Sequence, residues 1–188
     1  HVTAAYSLLE LLFSLAIILI LISAVTFSPN EVIAEYRLNQ YAQALIMSLR
    51  LARSKAINQA QIISLCASAN GRTCTQKKYE LGWILFADQH LPRGQRDESK
   101  EELIWRQEKL ANDISLRANG NASDSVSFYP NARNSTGIGA SFYLCFKNDV
   151  QQAQVLVLNS RGSLRLSKRN QQGVPIKARQ PIKHCLLE

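Results

Sequence analysis

The sequence lacks the short motifs that usually mark an enzyme, since it contains no G-x-S-x-G, no P-loop and no paired-carboxylate motif. Its three histidines, His1, His90 and His184, are too scattered along the chain to suggest a metal site. The carboxylates within 97–102 lie in a polar stretch and are more typical of a solvated loop than of acid–base catalysis. We therefore expect a protein that is not an enzyme, with no catalytic residues, no metal ion and no cofactor.

Cysteine is also scarce, and its spacing excludes a common class of site. The four cysteines are Cys66, Cys74, Cys145 and Cys185, and no two of them have the C-x-x-C spacing of zinc or redox sites. An even number beyond a long apolar segment indicates disulfides in an oxidising compartment. Three pairings are possible. Cys66 with Cys74 would close a small hairpin, whereas Cys145 with Cys185 would tie the C-terminal tail to the domain through a loop of about 40 residues.

The beginning of the chain lacks cations, because no Lys, Arg or His occurs between Val2 and Tyr36. Within this stretch Leu8–Phe27 is almost wholly apolar and, at about 20 residues, is long enough as a helix to cross a bilayer. Its one carboxylate, Glu10, would cost about 3 kcal/mol in a membrane unless a cation pairs with it. A secretory signal peptide would have a basic start and a shorter apolar core, and an ordinary single-span anchor would not explain Glu10.

A free α-amino group could supply the missing cation. Cleavage of the bond between Ala5 and Tyr6 would create an ammonium group on Tyr6, which could neutralise Glu10 of a neighbouring subunit. The arrangement of a small residue, an aromatic residue, Ser-Leu-Leu-Glu and a long apolar helix resembles the cleavage and methylation motif of type IV prepilins and pseudopilins. This resemblance implies that Ala5 is the last leader residue, Tyr6 the methylated first residue of the mature chain, and Glu10 the assembly glutamate.

After the apolar run, the periodicity of the sequence predicts one helix. Pro29 predicts a bend or break at the start of this helix. The apolar residues that follow recur at three- and four-residue spacing, which predicts an amphipathic helix from Glu31 to about Asn58. The members of this predicted stripe are Val32, Tyr36, Leu45, Leu49, Ala52 and Ala56.

The next part of the chain changes to the pattern of strands. Runs of aromatic and β-branched residues between turn signals predict strands at 61–69, 79–88, 103–107, 114–117, 126–130, 140–147, 153–159 and 163–167. We expect a hairpin turn at Asn148-Asp149, and we expect Leu164 and Leu166 to face the core. The tryptophans should be core residues, the loop at 90–102 should be exposed and mobile, and the prolines of the tail should oppose regular structure.

Several of these stretches resemble the GspH/FimT-type minor pilins and pseudopilins. The matching segments are Ala52–Ile57 before Leu65-Cys66, Gly82–Asp88, Phe128–Asn131 and Phe142–Cys145. The resemblance implies an α+β, pilin-like fold in which a long N-terminal helical spine packs on a C-terminal antiparallel β-sheet head. Its segments would be a leader remnant at 1–5, a transmembrane and filament-core helix at 6–28, an amphipathic periplasmic helix at 29–60, a β-rich head at 61–167 and a basic tail at 168–188.

The positive charge is concentrated near the C-terminus. Of the net charge of +8, +6 lies in residues 151–188, where Glu188 is the one acidic residue. Such an asymmetry points to a polyanionic partner, although a solvated basic surface is the alternative. Family members implicated in DNA uptake carry a G-R-x-R motif, which Gly162–Arg165 resembles, with its first arginine displaced to Arg161. The predicted DNA-binding residues are Arg161, Gly162, Arg165, Lys168, Arg169, Lys177, Arg179 and Lys183.

The resemblance also implies a cellular role. We expect a minor pilin that is stored in the bacterial inner membrane, with its head in the periplasm, and then enters an extracellular type IV pilus. Its partners would be prepilin peptidase, the inner-membrane assembly platform, other major and minor pilins and, for natural transformation, double-stranded DNA. The alternatives are a structural minor pilin that primes pilus assembly without binding DNA and a pseudopilin of a type II secretion system.

Overall fold

The computed structural model describes residues 7–25, 29–75, 77–119, 122–131, 133–135, 139–177 and 180–185, and it leaves the side chains of 21–31 undescribed. The chain divides into two units, residues 1–34 and residues 35–188. The predicted interruption before Pro29 involves residues 26–28, which lie outside the described ranges.

Helix α1 spans Leu8–Val25. Ser7 precedes it, and the Ser7 hydroxyl oxygen accepts the N–H of Leu9 at 3.4 Å, as expected of a helix-capping serine. Glu10 lies in the first turn, where the helix dipole favours a carboxylate. The large apolar side chains from Leu8 to Ile20 are each at least half exposed. Among the described residues, no helix combines the length and the apolar character that crossing a membrane requires.

Helix α2 spans Pro29–Asn58, and proline suits its first position because a first-turn N–H has no partner within the helix. The prediction that Val32 and Tyr36 belong to the buried stripe is wrong, because these side chains are 66% and 68% exposed. Tyr36 lies nine residues before Leu45, and at about 100° per residue this places it on the opposite side of the helix. Within the second unit, the buried face of α2 consists of Leu38, Ala42, Leu45, Ile46, Leu49, Ala52 and Ala56.

The described strands form antiparallel sheets. In chain order they are β1 (Ile63–Ala67), β2 (Trp83–Ala87), β3 (Leu103–Gln107), β4 (Ile114–Ala118), β5 (Ser125–Phe128), β6 (Ala140–Phe146), β7 (Asp149–Leu158), β8 (Leu164–Leu166), β9 (Ile176–Lys177) and β10 (Gln180–Pro181). One sheet has the order β3–β2–β1–β5, another has the order β4–β6–β7–β8, and β9 pairs with β10. The predicted pairing of β6 and β7 is confirmed, but the turn consists of Lys147 and Asn148, which both have positive φ, and β7 already begins at Asp149.

Two further predictions, one on the start of a strand and one on the tail, are corrected. Tyr79–Leu81 forms a short 3-10 helix instead of the first part of a strand, because Gly82, with φ +113°, separates it from β2. A Cβ atom at Gly82 would lie 2.5 Å from the Gln107 carbonyl oxygen, so the close approach of β3 requires glycine here. The tail is also more regular than predicted. Pro181 pairs with Ile176 in the ribbon of β9 and β10, where an edge position tolerates a residue without an N–H.

Helix α2 and the two large sheets enclose the main core, in which Trp83 and Phe142 are almost completely buried. Strand β6 is buried on both faces, because Phe142 joins this core while Tyr143 joins a second cluster beneath the C-terminal tail. Two predicted core residues are corrected. Trp105 is 38% exposed and Leu166 is 42% exposed, since β3 and β8 are the edge strands of their sheets.

The loop at 90–102 is not simply a solvated segment, because it contains a buried carboxylate. Glu101 is 4% exposed. Its carboxylate accepts the N–H groups of Gln89 at 2.9 Å, His90 at 3.0 Å and Asp97 at 3.0 Å. These hydrogen bonds compensate for the burial of the charge and tie the two ends of the loop together, which the composition of the loop did not predict.

The structure decides the disulfide pairing that the sequence left open. Cys66 of β1 is bonded to Cys74, which closes the short segment between β1 and the 3-10 helix. Cys145 of β6 is bonded to Cys185, which attaches the tail to the centre of the second sheet. The prediction that this chain contains disulfides is therefore confirmed.

Candidate nucleic-acid interface

The turn between β7 and β8 carries the first predicted cation. The Asn159 side-chain oxygen accepts the N–H of Arg161 at 3.0 Å and the N–H of Ser163 at 2.8 Å. The Gly162 N–H donates to the Asn159 carbonyl at 3.0 Å, and Gly162 adopts φ +76°, a conformation that favours glycine. Asn159 and Gly162 thus define the turn, with Arg161 exposed on it.

Strand β8 separates the neighbouring residues onto two faces. Leu164 packs against the main core, whereas Arg165, which pairs with Val157 of β7, is exposed. Arg165 lines an open cavity of about 880 Å³ together with Lys168 and Lys177. No carboxylate is found among the described residues that line this cavity, so its charge is positive.

The tail is held against the face of the second sheet that points away from α2. Tyr143, Val155, Ile182 and the Cys145–Cys185 disulfide form the buried cluster between them. Within the tail, the Ile176 N–H donates to the Lys168 carbonyl at 2.7 Å. These contacts bring Lys177, which lies twelve residues after Arg165, to the cavity that Arg165 and Lys168 also line.

Two of the predicted contact residues have partners within the protein. The Arg169 guanidinium donates to the carbonyls of Gln151 at 2.9 Å, Gly173 at 2.7 Å and Ala153 at 2.8 Å. Arg169 therefore joins the tail to β7. The Lys177 ammonium lies 5.1 Å from the centre of the Tyr143 ring, a cation–π contact between the tail and β6.

The remaining predicted residues are placed as follows. Lys183 is exposed on the tail, and Arg179 lies outside the described residues. Ala5 and Tyr6 also lie outside them, whereas Glu10 is in the first turn of α1. In the part of the chain that the structure describes, no hydrogen bond or ion pair involves the side chains of Arg161, Arg165, Lys168 and Lys183.

Two arginines elsewhere in the chain contrast with these, because they pair with carboxylates. Arg37 lies 2.6 Å from Asp113, and Arg117 pairs with Glu80. Partial burial lowers the pKa of Arg117 through desolvation. Within the described residues, the exposed cations Arg161, Arg165, Lys168 and Lys183 have no such neighbours, so their charge is available to a polyanion.

Arg50 and Arg53 were not predicted as site residues, yet the fold brings them to the same turn. They line a cavity of about 400 Å³ together with Gly162, Ser163 and Leu164, on the α2 side of β8. The sequence shows that both arginines lie off the buried stripe of α2. It could not show their proximity to the β7–β8 turn, because that depends on how the helix packs on the sheet.

The fold resembles solved pilin structures. The type IV minor pilin FimU of Pseudomonas aeruginosa strain PAO1 is 16% identical, with 76% of this chain and 94% of that chain covered and a TM-score of 0.58. The minor pseudopilin EpsH from the type 2 secretion system of Vibrio cholerae is 12% identical, with coverage of 69% and 95% and a TM-score of 0.47. No curated protein matches the sequence at a significant level. The likeness to FimU confirms the predicted fold, a helix packed on an antiparallel β-sheet domain.

A family model identifies the group. The model of the type II transport protein GspH matches residues 41–162, a region that extends from α2 through both large sheets to Gly162 of the β7–β8 turn. This match covers more than half of the chain. The chain therefore belongs to the family of the type II transport protein GspH.

Proposed function

We propose that this chain is a minor type IV pilin, located in or near the pilus tip, that binds double-stranded DNA for uptake in natural transformation. The observation that supports this most strongly is the series of exposed cations Arg161, Arg165 and Lys168 along the β7–β8 turn, β8 and the segment that follows it. None of them has a carboxylate partner among the described residues, and the adjoining cavity has no described carboxylate in its lining.

The contacts would be made to phosphates rather than to bases. A guanidinium group can donate two parallel hydrogen bonds to a phosphate, whereas an ammonium group acts as a point charge. Arg161 and Arg165 would therefore hold the backbone, with Lys168, Lys177, Arg179 and Lys183 extending the positive surface. Such contacts position a duplex without reading its sequence. Arg169 would act through the tail, because its guanidinium already binds three carbonyls.

The N-terminal unit would anchor and assemble the protein. Membership of the GspH family implies a membrane-anchored, pilus-associated protein that works with other pilins. We place the anchor at 6–28, where the described apolar side chains of α1 are exposed. Prepilin peptidase would cut between Ala5 and Tyr6. The inner-membrane platform would then bring the Tyr6 ammonium group of one subunit to Glu10 of another, which removes the cost of a lone carboxylate in the membrane.

The test measures DNA affinity of the full-length chain in detergent micelles, by fluorescence anisotropy with a short labelled duplex at about 50 to 200 mM NaCl. The variant is Arg161→Gln with Arg165→Gln. Its control is Lys78→Gln with Lys109→Gln, which removes the same charge from exposed positions outside both cavities. Loss of two phosphate contacts should reduce the slope of log K against log salt by about 2. An unchanged slope, or an equal loss in the control, would contradict the proposal.

Type II secretion is the second candidate, since the matching family model is that of a type II transport protein. If the chain is a pseudopilin, deletion of its gene should impair protein secretion and leave natural transformation unchanged. A purely structural minor pilin would instead bind other minor pilins through α2 regardless of the C-terminal cations. Deletion of the gene, followed by transformation and secretion assays on the same strain, separates these roles from DNA uptake.

A further inference from the structure

The cavity on the α2 side of the β7–β8 turn has the composition of an anion site. Arg50 and Arg53 of α2 line one side of it, and Gly162 and Ser163 of the turn line another. Its volume is about 400 Å³. No carboxylate is present among the described lining residues, so the cavity is lined by two arginines without a counter-charge.

These two arginines differ from the third arginine of the same helix. Arg37 pairs with Asp113 at 2.6 Å. In contrast, no ion pair or hydrogen bond of the Arg50 or Arg53 side chain occurs in the part of the chain that the structure describes. The Nε atom of Arg53 is moreover buried without a hydrogen-bond partner there. A buried donor that lacks a partner is destabilising, and an oxyanion in the cavity could accept its hydrogen bond.

The electrostatic balance at the end of α2 also favours an anion. The C-terminus of a helix carries roughly half a negative charge, which opposes anion binding. Arg50 and Arg53 together carry two positive charges, and Lys55 adds a third in the last turn. Lys55 alone offsets the partial charge of the last turn, so the positive charges of Arg50 and Arg53 remain for the cavity that they line.

We propose that this cavity binds a backbone phosphate of DNA through Arg50 and Arg53. The inference rests on the proposed function, because the same turn carries Arg161 and borders the cavity that contains Arg165. The exposed turn thus lies between two positive cavities, one on each side of β8. A duplex laid across the turn would place phosphates of its backbone in both, and the interface would include α2 as well as the C-terminal region.

The experiment uses the full-length chain in detergent micelles and the same labelled duplex. The variants are Arg50→Gln with Arg53→Gln, Arg50→Lys with Arg53→Lys, and the Lys78→Gln/Lys109→Gln control. We expect the glutamine variant to bind DNA about 10-fold more weakly at physiological salt, with a salt slope smaller by about 1 to 2. The lysine variant keeps the charge but loses the paired donors, so its affinity should fall between that of the wild type and that of the glutamine variant.

The outcomes separate this inference from the function on which it rests. If the wild type binds DNA, and the Arg161/Arg165 variant loses that binding while the Arg50/Arg53 glutamine variant retains wild-type affinity, the α2 cavity is not part of the interface. The inference is also overturned if the Arg50/Arg53 glutamine variant binds DNA no more weakly than the charge-matched control. If the wild type itself does not bind DNA at low salt, the proposed function fails first. Thermal unfolding of each variant checks that the comparison is made between folded proteins.

Discussion

Removal of the Cys145–Cys185 disulfide should destabilise the protein more than removal of the Cys66–Cys74 disulfide. The two bonds join residues 40 and 8 positions apart in the chain. A cross-link restricts the unfolded chain more when it closes a longer loop, and the chain-entropy relation gives about 4 kcal/mol for the first bond and about 2.5 kcal/mol for the second. Alanine is the right replacement, since both sites are partly or fully buried and a serine would add a polar group there.

Urea unfolding followed by tryptophan fluorescence measures this difference, because Trp83 is completely buried in the main core and becomes exposed on unfolding. With a slope of about 2 kcal/mol per molar urea, the midpoint should fall by about 2 M without the Cys145–Cys185 bond. It should fall by about 1.2 M without the Cys66–Cys74 bond. Equal shifts, or a larger shift for the Cys66/Cys74 variant, would refute the reasoning from loop length.

Two further predictions concern the backbone and the pH dependence. Gly82→Ala should lower the free energy of unfolding by about 3 kcal/mol or more, because its Cβ would lie 2.5 Å from a carbonyl oxygen of β3. Gly173→Ala, where φ is +80° but nothing lies within 4 Å, should cost only about 1 kcal/mol, and urea unfolding of both checks the ranking. Burial raises the pKa of Tyr79 far above its ordinary value of 10.0, so the unfolded chain releases this proton first. The free energy of unfolding should therefore fall as the pH rises above about 10, and it should fall less steeply in Tyr79→Phe. Urea unfolding at several pH values in that range measures both slopes, and equal slopes would contradict the prediction.

Much of the head was predictable because its local patterns agree with its tertiary structure. The alternation and β-branched content of β7, and the turn before it, identified the central hairpin. The predictions failed where burial depends on position in the sheet, as at Trp105 and Leu166 on edge strands. They also failed at Glu101. Its buried carboxylate is stabilised by backbone N–H groups, and the polar composition of the loop does not reveal these hydrogen bonds.

The amino-acid sequence by itself determined the order of helix and strands, the even set of cysteines and the concentration of cations after residue 150, because each is a property of neighbouring residues. Only the tertiary structure decided which cysteines are bonded and which side of α2 is buried. It also separated Arg169, which binds carbonyls, from Arg165, whose side chain has no partner among the described residues. The tertiary structure also placed Arg50 and Arg53 beside Gly162. About 110 residues separate these arginines from Gly162, and only the packing of α2 on the sheet brings them together.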